Sequence, residues 1–140
     1  MLVKIVSVSH SKLRAFTLQE LLIVLIIVGI LVLLALPNLM PLISKTKATE
    51  AKLQLKHLYT LEKNYFYMHS KYSSDLNNLD FQQEKLTTED GQANYIMEII
   101  DAGTNNFLAR ATAVVDFDGD GTYNVWEINQ DNQLKEITKD

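Results

Sequence analysis

A chain of 140 residues, 47% of them hydrophobic, leaves room for one modest domain and one further segment. Its formal charge of -4 offers no basic face for phosphate backbones, which excludes nucleic acid as a partner. It has no cysteine, so neither a disulfide framework nor thiolate chemistry is open to it.

Residues 1–15 carry Lys4, Lys12 and Arg14 and no acid. The remainder then holds 10 of the 13 basic residues against all 17 acidic ones, a balance of -7. From Leu21 to Ser44 no residue is charged, and Leu21 to Leu36 is almost unbroken Leu, Ile and Val. With its flanks, that run is long enough to cross a bilayer. Basic residues before it and a net acidic domain after it place the N-terminus in the cytoplasm. A secretory signal peptide would be shorter and would end in small residues, whereas Ala35 is followed by Leu36 and Pro37. Glu20 sits at the head of the run. A carboxylate there needs a partner, whether the positive end of its own helix or a group elsewhere.

Residues 38–72 continue as an amphipathic helix. Ala48, Ala51, Leu55, Leu58, Leu61, Tyr65, Met68 and Tyr72 recur at spacings of three and four, and the lysines avoid that stripe. Pro37 and Pro41 each remove an amide donor, so a kink or loosened turn is expected over 33–41. Residues 73–92 are polar with apolar anchors at Leu76, Leu79 and Phe81, and read as a connecting loop. Strands are predicted at 94–100, 107–115, 123–129 and 133–138, separated by runs of turn residues. The fold class expected is α+β: a long N-terminal helix packed on an antiparallel sheet of three or four strands.

The segment Asp116-Phe-Asp118-Gly-Asp120-Gly121 through Glu127 matches the calcium-loop spacing D-x-D-x-D-G-x5-E. Three alternate carboxylates and a bidentate Glu127 are hard oxygen ligands suited to calcium. The competing reading is a metal-free acidic turn, because the flanks look like strands. A two-residue hairpin centred on Asp118-Gly119 would pair Glu127 with Arg110. Asp116, six residues from Arg110, would then lie about 20 Å away, which bars Glu127 from sharing its ion. A cross-strand charge pair would suit Arg110, and the hairpin is the preferred reading. The aromatics Tyr59, Tyr65, Phe66, Tyr67 and Tyr72 read as packing rather than a charge-conducting stack. Three scattered histidines and the lack of a nucleophile–base arrangement argue against an enzyme.

Phe16-Thr-Leu-Gln-Glu20, followed by an apolar run with Gly29, Leu36 and Pro37, resembles the N-terminal signature of type IV pilins and type II secretion pseudopilins. The likeness is strong over about residues 14–41. Ala15 stands where the family usually has Gly, and Gln19 where it usually has an apolar residue. The resemblance implies cleavage between Ala15 and Phe16 by a prepilin peptidase and N-methylation of Phe16. It divides the chain into a leader (1–15), a transmembrane and filament-core helix (16–44) and a periplasmic or surface domain (45–140). It assigns Phe16, Glu20, Gly29 and Pro37 to subunit assembly, with Glu20 pairing with the Phe16 ammonium of a neighbour. It also implies copies of the chain, other pilins or pseudopilins and the inner-membrane assembly machinery as partners, and a pilus or a periplasmic pseudopilus as the product. Many pilins close a C-terminal loop with a disulfide; this chain cannot. The alternative function is a membrane-anchored periplasmic calcium-binding module that does not polymerise.

Overall fold

The computed structural model describes residues 16–140, so the segment expected as a leader, 1–15, lies outside the described residues. Helix α1 runs over Leu18–His69, 52 residues, with Pro37 and Pro41 inside it. The prolines expected to bring a kink or loosened turn do not end the helix. Each proline removes one amide from the ladder, and long stretches of good helix formers on both sides carry the helix across.

The first part of α1 presents its apolar side chains on its surface. Every large apolar side chain between Leu21 and Leu36 is exposed, none by less than 48%. The stretch Leu18–Pro37 is long and apolar enough to span a membrane. At ~25 cal/mol per Å², leaving such a surface in water is unfavourable, so it calls for lipid or other helices around it.

Residues from Pro37 onward form a compact unit. Within it, the buried line of α1 is Ser44, Ala48, Ala51, Leu55, Leu58 and Glu62. The expected stripe holds through Leu58 and then departs. Leu61 and Tyr65 are half-buried and Met68 is 72% exposed. Alternating steps of four and three put residue 62, not 61, beneath the sheet, so a polar residue occupies a core position. Ser70 adopts the left-handed region at φ 56° and ends the helix. Tyr72 is buried after the chain has left the helix, with its N–H donating to the Gly103 carbonyl at 2.9 Å.

The connecting segment buries Leu79 and Phe81 as anchors. It also contains two short 3-10 turns, Leu76–Leu79 and Thr87–Glu89, where only loop was expected. The first is capped by Asp75, whose carboxylate accepts from the Asn77 N–H at 2.9 Å.

Four strands follow: β1 Tyr95–Ala102, β2 Phe107–Ala113, β3 Val125–Asn129 and β4 Leu134–Thr138. They form one antiparallel sheet in chain order. Phe107, Ala109, Ala111 and Ala113 point inward from β2 and join Ala51, Leu55, Leu58, Tyr95, Met97 and Ile128 in one core. The α+β expectation therefore holds, with four strands. The outer edge of β1 is covered by a side chain. The Gln83 amide donates to the Tyr95 carbonyl at 3.0 Å and accepts from the Met97 N–H at 2.9 Å. That blocks further strand pairing at this edge.

Candidate functional site

At the start of α1, Thr17-Leu-Gln-Glu20 forms a capping box. Thr17 donates to Glu20 Oε2 through its N–H at 2.8 Å and its hydroxyl at 2.9 Å, and the Glu20 N–H returns a bond to the Thr17 hydroxyl at 3.3 Å. This satisfies helix N-terminal amides that would otherwise lack acceptors. Threonine three residues before glutamate, ahead of an apolar run, was the available signal for this cap. Both Thr17 bonds reach Oε2, so Oε1 of Glu20 accepts nothing among the described residues. Phe16 beside it is 85% exposed. At Gly29 an added Cβ would meet nothing within 4 Å, so the fold of a single chain places no steric demand for glycine there.

The acidic loop spans 114–124, between the end of β2 and the start of β3. The hairpin register is as expected: Arg110 lies opposite Glu127, and the Ala113 N–H donates to the Asn124 carbonyl at 2.8 Å. The expected tight two-residue turn is replaced by a wider loop. The aspartates draw the backbone off the ladder. Asp116 accepts from the N–H of Gly119 at 2.6 Å and of Gly121 at 2.7 Å, Asp118 from Asp120 at 3.0 Å, and Asp120 from Thr122 at 2.7 Å. Such side-chain acceptors compete with strand pairing. Gly119 and Gly121 supply the positive φ, 83° and 88°, that the curled backbone needs.

Ligand oxygens of Asp116, Asp118 and Asp120 thereby lie within 4.8 Å of one another. The N–H of Gly121, with Gly119 adding to it, holds the Asp116 carboxyl below the usual carboxylate range. Glu127 is not brought to this cluster. Its Oε1 accepts from Arg110 Nη2 at 2.6 Å and Nε at 2.8 Å. Of the four carboxylates expected together from the motif, the structure gathers three, because antiparallel pairing carries Glu127 away from the turn.

Two acids escaped the sequence reading. Asp140 Oδ2 accepts from the Phe117 N–H at 2.9 Å. Burial, then the charges of Asp118 and Asp116, raise its carboxyl above the ordinary value. Glu62 is fully buried; Oε2 accepts from the Ser73 N–H at 3.0 Å, and Oε1 has no partner among the described residues.

No family model matches the chain. It is 41% identical over 80 residues to the type IV major pilin protein PilA of Myxococcus xanthus (strain DK1622). The match covers 57% of this chain and spans about a third, 36%, of that relative's length. This similarity supports the type IV pilin superfamily to which the N-terminal signature points.

Proposed function

We propose that this chain, similar to a type IV major pilin and bearing the pilin N-terminal signature, is a structural subunit of a type IV pilus-like filament. The observation that carries this reading is the first part of α1: an uninterrupted helix whose large apolar side chains are all exposed. A bilayer accommodates that surface before assembly, and the same surface on other copies accommodates it afterwards. In this reading a prepilin peptidase cuts between Ala15 and Phe16, and methylation of the new N-terminus keeps its positive charge. The open Oε1 of Glu20 then accepts the Phe16 ammonium of a neighbouring subunit. Gly29, which a single chain does not need, permits close approach of helices in the filament core. The precursor sits in the inner membrane with its N-terminus cytoplasmic. The product is a surface filament assembled by inner-membrane machinery. A pilus is favoured over a type II secretion pseudopilus because the relative is a type IV major pilin.

The test is to shear fibres from cells and measure the intact mass of this chain within them. The expected chain has lost Met1–Ala15 and gained one methyl group. A chain confined to membranes, with no fibre even on overexpression, would establish the non-polymerising anchored module instead.

A second role rests on the clustered oxygens of Asp116, Asp118 and Asp120. We infer that they take a calcium ion without Glu127. Three carboxylates at this separation repel one another, and a divalent cation relieves the repulsion with the hard ligands it prefers.

A further inference from the structure

On the face of the sheet turned away from α1, four charged residues stand in one straight row, one from each strand. Glu98 of β1 is in register with Arg110 of β2, Arg110 with Glu127 of β3, and Glu127 with Lys135 of β4. The signs alternate along the row. The central pair is closed by the Arg110–Glu127 ion pair. The terminal charges, Glu98 and Lys135, are exposed and form no ion pair among the described residues. Adjacent strands lie about 4.8 Å apart, so the row is roughly 14 Å long.

An alternating row of even length is its own complement. A two-fold axis running along the strands between β2 and β3 reverses it. Glu98 of one copy then faces Lys135 of the other, and Arg110 faces Glu127, with every contact made twice. Stacked sheets sit about 10 Å apart, a gap that glutamate, arginine and lysine side chains span. We propose that this face docks onto the same face of a second copy of this chain. One such contact is weak because its terminal charges are exposed and screened. Filaments would present it many times over and so associate side by side. That form of the inference rests on the filament reading; the face-to-face contact itself does not.

The test is direct amide coupling by carbodiimide, applied at low salt both to fibres and to the full-length chain in detergent micelles. Within one chain Glu98 and Lys135 are too far apart for a direct amide, so a Glu98–Lys135 cross-linked peptide reports two copies. The wild type is expected to yield it, with loss as salt rises. Glu98→Lys and Lys135→Glu each set like charges opposite one another; each is expected to abolish covalent dimers and disperse side-by-side fibres. The double variant keeps unfavourable neighbours within its own sheet but restores every contact between copies, as does mixing the two single variants. Dimers and bundles are expected to return in both cases. Single variants that dimerise like the wild type, or a double variant that fails to recover, would overturn the proposal. If no fibre forms under any condition, the filament reading fails, and the micelle experiment still decides the contact.

Discussion

Arg110 and Glu127 meet across β2 and β3, with Nη2 2.6 Å and Nε 2.8 Å from the same carboxylate oxygen. This pair fixes how the acidic loop is used. Tied to the middle of the sheet, Glu127 is withheld from the carboxylates at its turn. The pair is also partly shielded: the Glu127 side chain is 15% exposed and that of Arg110 37%.

A double-mutant cycle over Arg110→Gln and Glu127→Gln is expected to give a coupling of about 1 kcal/mol, toward the upper end for exposed pairs because Glu127 is shielded. Thermal unfolding of the full-length chain in detergent measures it. Additive effects would mean that the pair contributes nothing to stability.

Calcium binding is expected to survive Glu127→Gln and to weaken roughly tenfold, ~1.4 kcal/mol, on Asp118→Asn, which removes one of three charged ligands. Calorimetric titration decides this. Binding lost with Glu127→Gln would restore the four-ligand loop, and no heat at millimolar calcium would remove the site.

Glu20 has two separable tasks. Glu20→Gln keeps a side chain able to cap the helix but removes the charge, whereas Glu20→Ala removes both, at a capping cost of about 1 kcal/mol. Both variants are expected to insert into the membrane, since each deletes a charge from the apolar segment. Both are also expected to fail in fibre yield. Fibres of normal yield from the Gln variant would make capping the sole role of Glu20 and rule out ammonium pairing.

Burial lifts the Glu62 carboxyl above its ordinary value of 4.5, against the lowering by the Ser73 N–H. The folded state therefore holds this proton more tightly than the unfolded chain. Its contribution is present in full below the unfolded value and declines as pH rises from about there through the raised folded value. Glu62→Gln still accepts from Ser73 and cannot ionise. Melting temperatures followed upward from pH 4 should fall less in the variant than in the wild type. Parallel curves would show that Glu62 does not titrate within that range.

Much of this molecule was decided locally, and those parts were legible in the sequence. The apolar run reads as a span because bilayer thickness sets a length and charge is excluded throughout. The strands read from short apolar segments punctuated by turn residues. The Arg110–Glu127 pairing followed from counting outward from Asp118-Gly119, since antiparallel register depends only on where the chain reverses. The row from Glu98 to Lys135 needed more: three registers had to be joined, and the shift at Ile99–Asp101 in β1 cannot be counted from a turn. Glu62 was illegible for a different reason. Polar residues are assigned outward by pattern, and only the chain doubling back after α1 supplies the Ser73 N–H that lets a carboxylate occupy a core position. The acidic motif shows where the two levels divide. Its spacing determined that three aspartates would gather, because their side chains bond to amides two to five residues away. Only the sheet decided that Glu127 would leave them, because a strand carries its residues away from the turn at about 3.3 Å per residue.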